Sequence, residues 1–239
     1  MKTTAHGDYL FKLTRWWAFN CFLVREDDGF TLVDTGLSGS AQQILDAAQT
    51  LGAPIVRIAL THAHVDHVGS LDVLHERLPE AEVLITARDA RFLTGDHSLD
   101  PGEPQDKLRG GYPICTTKPT RAFKPGDLVG SLEVIASPGH TPGHVAFLDR
   151  RDRTLIAGDA YQTRGGIAVA GMLQPLFPLP GMSYWSKALS LQSAKALRAL
   201  EPSRLAVGHG PVLEAPGAAM DRAIATAQRR FQESSAHAA

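Results

Sequence analysis

The chain has 239 residues, 44% of them hydrophobic, which is enough for one domain with a sizeable core. Its 24 basic and 25 acidic residues give a formal net charge of −1, and this balance argues against a nucleic-acid-binding surface. Residues 1–10 lack the apolar core of a signal peptide, and no apolar run is long enough to span a bilayer. We therefore predict a single cytoplasmic domain over residues 1–239, with neither a nucleic-acid nor a membrane partner.

Apolar and β-branched runs along the chain predict nine strands. In chain order they are 10–13, 18–24, 31–34, 55–60, 83–86, 132–135, 144–148, 154–157 and 204–207. Helical composition or periodicity marks 41–51, 68–78, 87–93, 184–200 and 218–233. Ser183 is the expected N-cap of the fourth helix. This mixture predicts an α/β (α+β) fold.

Residues 61–69 read Thr-His-Ala-His-Val-Asp-His-Val-Gly and follow a predicted strand directly. In an extended segment alternate side chains point the same way, so His62 and His64 can hold one ion. Asp66 and His67 come where the chain is expected to turn into a helix, beside the first pair. Imidazole and carboxylate groups suit zinc, manganese or iron, and a cluster without thiolates is not typical of a closed structural zinc site.

Three later positions add the same chemistry. His140 lies in Ser-Pro-Gly-His-Thr-Pro-Gly-His, and Asp159 and His209 each follow a predicted strand. A rigid sheet can bring side chains from distant parts of the sequence to one site. His144, at the end of the same Gly/Pro turn, could orient a ligand, or it could be a structural turn residue.

At these positions the chain resembles the metallo-β-lactamase-fold hydrolase superfamily, in its lactonase and glyoxalase II-like branch. The resemblance implies an αββα four-layer sandwich and two metal sites with a shared carboxylate. The implied ligands are His62, His64 and His140 for the first ion, Asp66, His67 and His209 for the second, and Asp159 for both. It also implies that Asp34, in Val-Asp-Thr-Gly, lies behind the ligands, although an ordinary turn aspartate is an equally good interpretation.

This ligand set predicts a hydrolase. Two divalent ions, zinc first with manganese or iron as alternatives, could share a water and hold it as hydroxide at neutral pH. Asp66 or Asp159 could relay the proton. Tyr161, two residues after Asp159, could donate a hydrogen bond to the developing oxyanion, or it could be a buried structural tyrosine.

An ester or lactone is the leading substrate, because the long loops are apolar and the net charge is near zero. Asp159 argues against a β-lactamase, since members of that group normally lack the bridging aspartate. A thioester (glyoxalase II-like) or phosphodiester hydrolase is an alternative, and a mononuclear iron persulfide dioxygenase-like oxidoreductase is an alternative of another class. We expect a small-molecule substrate and either a monomer or a homodimer.

Two long segments, 94–122 and 163–182, lack periodicity, and loops of this length in a compact domain are often functional. Residues 172–179 are apolar, so we expect them to form one wall of the cleft above the metals, with a dimer contact or plain packing as alternatives. Trp16 and Trp17 stay open: one of them could line a pocket or simply cover the surface. Cys21 is expected to be a small core residue.

Overall fold

A computed structural model describes residues 1–236, with side chains described up to residue 233. The first seven strands are Lys2–His6 (β1), Leu10–Arg15 (β2), Phe19–Glu26 (β3), Gly29–Val33 (β4), Ile55–Ala59 (β5), Glu82–Thr86 (β6) and Arg121–Phe123 (β7). They form one sheet in sequence order. Strands β1 to β4 pair antiparallel, and β4 to β7 pair parallel.

A second sheet lies in the second half of the chain. Its strands are Leu128–Val129 (β8), Leu132–Ala136 (β9), Val145–Asp149 (β10), Thr154–Ile156 (β11), Arg204–Ala206 (β14) and Leu213–Glu214 (β15). Their order in the sheet is β15-β14-β11-β10-β9-β8. A separate two-stranded ribbon consists of Tyr161–Gln162 (β12) and Ala168–Val169 (β13).

Helices cover the outer faces of both sheets. They are Ala41–Thr50 (α1), Val65–Val68 (α2), Leu71–Arg77 (α3), Ala87–Ala90 (α4), Leu179–Met182 (α5), Lys187–Ala199 (α6) and Gly217–Ala236 (α7), with a 3-10 turn at Phe92–Thr94. Ile44 of α1 and Leu74 of α3 pack on the first sheet. Leu197 of α6 and Ala223 of α7 pack on the second. Within residues 1–236, no helix combines the length and apolar character needed to cross a bilayer.

Side chains alternate between the two faces of each strand, and the buried ones form three layers of hydrophobic core. In β3, Phe22 and Val24 face the second sheet, whereas Cys21 and Leu23 face the helices of the first sheet. In β10 of the second sheet, Phe147 packs into the same layer between the two sheets. Alternate residues of a strand point to opposite faces, so each central strand contributes to two layers. The predicted αββα sandwich is confirmed, and so is the burial of Cys21.

All nine predicted strands are present, and the structure adds six strands and one helix, namely β1, β7, β8, β12, β13, β15 and α5. The helix predicted over 87–93 is α4 followed by the 3-10 turn, and two further helices differ from the prediction. The helix predicted over 68–78 is split into α2 and α3, because Gly69 packs against the turn at 36–38 and its N–H donates to the Gly36 carbonyl. A Cβ on Gly69 would lie 2.5 Å from the Ser38 nitrogen. The predicted cap Ser183 is wrong: α6 begins after Ser186, because the amides of residues 185 and 186 both donate to Gly139.

Candidate metal centre

Loops and the short helix α2, at one edge of the sandwich, carry the predicted metal ligands. His62 and His64 follow β5, and Asp66 and His67 lie on α2, directly after them. The second sheet supplies the other three. His140 lies between β9 and β10, Asp159 follows β11 and His209 follows β14, so both sheets contribute side chains to one site.

Three histidines form the first group. The His62 Nε2 and His64 Nδ1 atoms are 3.2 Å apart, and His64 Nδ1 is 2.8 Å from His140 Nε2. One nitrogen of each ring lies within 4.8 Å of the others, and all three side chains are buried. This is the geometry of three imidazoles that face a common point, as an ion between them requires.

Asp66, His67 and His209 form the second group, again with ligand atoms within 4.8 Å of one another. Asp159 lies between the two groups. Its Oδ1 atom is 3.4 Å from His67 Nε2, and its Oδ2 atom is 3.1 Å from His209 Nε2 and 3.5 Å from His140 Nε2. A single carboxylate therefore contacts ligands of both groups.

Two buried atoms in the centre fit a bound cation. His67 Nε2 and Asp159 Oδ1 are among the buried side-chain atoms that have no hydrogen-bond partner, and they lie 3.4 Å apart. A buried polar atom without a partner costs about 1–3 kcal/mol. A divalent ion accepts an electron pair from both atoms and removes this cost, so the donor set fits a metal.

The two groups of ligands also differ in their pKa shifts. Burial lowers the pKa of His62 and of His140 well below the usual range, so both rings are neutral and can act as ligands. Burial also opposes charge on His67 and His209, but Asp159 and neighbouring carboxylates raise the pKa of His67 above its usual range and that of His209 to about 9. This side of the centre attracts positive charge.

Asp34 holds the ligands from behind. Its Oδ2 atom is 2.7 Å from His67 Nδ1, and the backbone N–H and the hydroxyl of Thr61 both donate to its carboxylate. The same Thr61 hydroxyl lies 2.9 Å from His62 Nδ1. These contacts direct the Nε2 atoms of both histidines toward the centre, which is how a carboxylate behind a ligand fixes its tautomer and orientation.

His144 also supports a ligand. Its Nδ1 atom is 2.8 Å from the Ser137 hydroxyl, and its Nε2 atom accepts a hydrogen bond from the Asp159 N–H at 3.1 Å. Burial lowers its pKa to about 3, so the ring is neutral and Nε2 can accept. His144 therefore positions the backbone of Asp159.

Asp89 was missed by the sequence analysis. Its Oδ2 atom accepts from the Ala63 N–H at 3.2 Å and the Thr141 hydroxyl at 2.6 Å, and its Oδ1 atom accepts from the Gly143 N–H at 2.7 Å. These donors flank the ligands of the first group, on two loops far apart in sequence. A charged residue at the start of a short helix is ordinary, so the sequence carries no signal of this role.

The loop over residues 94–122 covers His64. The Arg109 carbonyl lies 3.1 Å from His64 Nε2, and the Tyr112 ring packs on the imidazole with 4.6 Å between centroids. Gly110 allows this approach, because it has a φ of 106° and a Cβ there would lie 2.4 Å from His64 Nε2. These contacts depend on backbone and ring packing, which residue spacing does not reveal.

The structure places Tyr161 away from the centre. Its side chain is fully buried in the core between the second sheet and its helices, and its hydroxyl donates to the Ala194 carbonyl at 2.8 Å. The prediction that this hydroxyl reaches a reacting oxyanion is therefore wrong. In β12, adjacent side chains point to opposite faces, and the face of Tyr161 is the outer one.

A cleft of about 270 Å3 opens above the ligands. Its lining includes Phe19, Leu37, Val65, Leu179 and Pro180. Residues 172–179 were expected to form one wall of the cleft, but only the C-terminal end of this segment lies there. The ring of residue 177 lies 5.5 Å from the His209 ring, whereas residue 172 is buried in the core of the second sheet.

Comparison with known proteins identifies the family. The family model of the metallo-β-lactamase superfamily matches residues 14–209. The chain belongs to this superfamily. It is 48% identical to the uncharacterized Bacillus subtilis protein YobT over 88% of this chain and 91% of that protein. It is 31% identical to the probable metallo-hydrolase YflN of the same organism, over 79% and 78% of the two chains.

Solved structures include one with substantial sequence similarity. The crystal structure of TTHA1623 in a di-iron-bound form is 29% identical, covers 85% of this chain and 93% of its own, and has a TM-score of 0.64. The superfamily and the His/Asp groups described above together indicate a site for divalent metals.

The contacts of Asp89 predict a loss of both stability and metal in Asp89→Asn. An amide offers one oxygen to three donors, so at least one buried N–H or hydroxyl is left unpaired, at a cost of about 1–3 kcal/mol. Urea unfolding and metal content after dialysis measure the two effects. Asp8→Asn, on an exposed turn, is the control and should match the wild type. Equal stability and metal content in both variants would contradict this role.

Proposed function

We propose that the protein is a dinuclear metal-dependent hydrolase that cleaves an ester or lactone bond. The observation that carries the proposal is the position of Asp159, whose two oxygens contact ligands of both groups. Two ions held about 3.5–4 Å apart by such a carboxylate are typical of hydrolytic centres. The membership of the superfamily and the similarity to a probable metallo-hydrolase support the same reaction class.

The donor set supports zinc as the first candidate ion. His62, His64 and His140 would hold one ion, and Asp66, His67 and His209 the other. Nitrogen and carboxylate ligands also suit iron and manganese, and a related structure carries a di-iron centre. Divalent ions bound here would act as Lewis acids and would lower the pKa of a bound water toward about 7.

Asp66 is our candidate for accepting the proton from the attacking water. It lines the cleft and is the most exposed of the proposed ligands. Burial favours its protonated form, but His67 and His209 hold the pKa of its carboxyl below the usual range. The carboxylate is thus ionised before reaction, but a low pKa makes it a weak base, so its exposure to the cleft is the reason for this choice. Asp159 is almost fully buried, which makes it better suited to bridging ions than to exchanging protons with the cleft.

The lining of the cleft supports a neutral substrate. Among the described residues that line it, none is a lysine or arginine, and apolar side chains such as Phe19, Leu37 and Leu179 surround the ligands. A phosphodiester or a glutathione conjugate carries negative charges that a binding site normally pairs with cationic side chains. An uncharged ester or lactone needs no such partner. This contrast is why we place esters and lactones ahead of the other substrates.

The direct test combines metal content with a substrate panel. We expect two divalent ions per chain by mass spectrometry, and hydrolysis of lactones or aryl esters in preference to thioesters, phosphodiesters and β-lactams. One iron per chain with oxygen-dependent turnover would instead assign the protein to the persulfide dioxygenase-like class. Preferred hydrolysis of a charged thioester or phosphodiester would contradict the assignment based on the lining of the cleft.

Asp159→Asn should abolish hydrolysis while the protein stays folded, because an amide cannot hold two cations together as a carboxylate does. The steady-state rate, the metal content and the circular dichroism spectrum measure the three properties. Asp221→Asn is the matched control, because that carboxylate pairs with Arg198 on the surface. Activity at the wild-type level in a folded, metal-loaded Asp159→Asn protein would rule out the bridging role.

Phe177→Ala should alter the preference for acyl-chain length, because the ring contacts both Phe19 and His209 at the cleft. A hydrophobic pocket discriminates by about 1–3 kcal/mol per methylene, and the variant should lose a difference of this order between short and long esters. Leu176→Ala is the control, since the Leu176 side chain is next to Phe177 in the sequence but is 82% exposed. The same change in both variants, or in neither, would show that residue 177 does not select the acyl chain.

A further inference from the structure

The orientation of the His64 ring depends on a single backbone oxygen. The Nδ1 atom of this ring faces His62 and His140, so its Nε2 atom lies on the far side, 3.1 Å from the Arg109 carbonyl. A neutral imidazole carries one ring proton, and donation from Nε2 to this carbonyl leaves the lone pair on Nδ1. The position of the carbonyl therefore decides which nitrogen of His64 is available as a ligand.

The backbone around this carbonyl has little rigidity of its own. Among the described residues, 95–120 form neither a helix nor a strand. Leu108 and Tyr112 pack against the core of the first sheet, but residues 110 and 111 between them are both glycine. Glycine has more freedom in φ and ψ than any other residue, so a rotation of the peptide after Arg109 would turn the oxygen away from the ligand. A further contact is needed to hold it.

The Arg109 side chain supplies such a contact with the segment between α5 and α6. Its guanidinium lies over the Tyr184 ring, 4.5 Å from the centroid. Both side chains are half-buried, and a cation over an aromatic face is bound more strongly where water is partly excluded. Gly111 and Ser183, close to the two partners in sequence, line the cleft. The contact thus joins the two long loops that border the cleft.

Tyr184 lies in a segment that is fixed beside another ligand of the first group. The backbone N–H groups of residues 185 and 186 both donate to the Gly139 carbonyl, at 3.0 and 2.8 Å. Gly139 directly precedes His140, and a Cβ on this glycine would lie 2.3 Å from a backbone nitrogen of α6. Packing this close leaves the segment little room to move. The ring is therefore a fixed support for the guanidinium.

We propose that the contact between Arg109 and Tyr184 holds the Arg109 carbonyl on His64, which makes Tyr184 a positioning residue of the metal centre. Neither side chain is a ligand, and both act through the proton on His64 Nε2. This assignment rests on the metal site of the proposed function, but it does not depend on which bond is hydrolysed.

Zinc titration of the whole chain after chelation tests the consequence for the metal. Arg109→Met and Tyr184→Leu should each weaken zinc binding by the first group about tenfold, because a partner behind a metal ligand typically contributes that much. Zinc binding by the second group should stay the same. The ring signals of 15N-labelled histidine show which group is filled at each step.

Three further variants separate positioning from a general loss of structure. Tyr184→Phe keeps an aromatic face under the guanidinium and should bind zinc as the wild type does. The double variant R109M/Y184L should lose no more than either single variant, because both substitutions remove one contact. Lys187→Met is the matched control: the Lys187 ammonium lies 5.6 Å from the centroid of the same ring but comes from α6, so its loss leaves the contact between the loops intact.

An additive loss of about a hundredfold in the double variant would overturn the proposal. So would a tenfold loss of zinc affinity in Tyr184→Phe or in Lys187→Met. Equal weakening of both groups of ligands would also overturn it, because the contact would then support the fold and not the His64 ring.

Hydrogen exchange of the His64 Nε2 proton tests the contact without reference to catalysis. The carbonyl should protect this proton in the zinc-loaded wild type, and Arg109→Met should exchange it about tenfold faster. The His62 Nδ1 proton, 2.9 Å from the Thr61 hydroxyl oxygen when measured from the nitrogen, is the internal reference and should not change. Unchanged exchange at His64, or equally faster exchange at both histidines, would overturn the proposal. A wild type that binds no zinc would contradict the proposed function, and the same exchange rates in the metal-free protein would then decide on the contact.

Discussion

The contact of Asp159 with histidines from both halves of the chain is the interaction on which the site depends. His67 belongs to the first sheet's half and His209 to the second, and the carboxylate reaches both. An ionised group this deeply buried is costly unless a cation compensates for it. The two sheets must therefore pack in one register, because a small shift between them would separate this carboxylate from half of its partners.

A layer of polar residues behind the ligands maintains that register. Asp34 orients His67, His144 holds the Asp159 amide, and Asp89 joins the loops on either side of the first group. The hydrogen bonds of these residues go to backbone groups, to a ligand, or to the hydroxyl groups of Thr61, Ser137 and Thr141. The ligands can consequently keep their lone pairs directed to one point, which is the requirement for a preorganised metal centre.

The opposite side of the site has a different character. Beyond the ligands the cleft is apolar, and the aromatic side chains of Phe19, Phe177 and Trp16 lead away from it. The polar layer and the apolar cleft are thus separate surfaces of the site. The polar layer supports the candidate metal ligands, whereas the apolar side chains lie on the side of the ligands that faces the cleft.

The sequence by itself determined the candidate metal ligands and most of the strands, and its resemblance to the family implied the sandwich. His62 and His64 alternate after an apolar strand, and this local spacing sets both the residue type and its direction. Only the tertiary structure decided which residues outside the motifs serve the site. Asp89 and the Arg109 carbonyl reach the first group through packing between distant segments, whereas Tyr161, close to Asp159 in sequence, points into the outer core. Spacing along one strand predicts a direction, but the contact at the end of that direction depends on which other elements pack there.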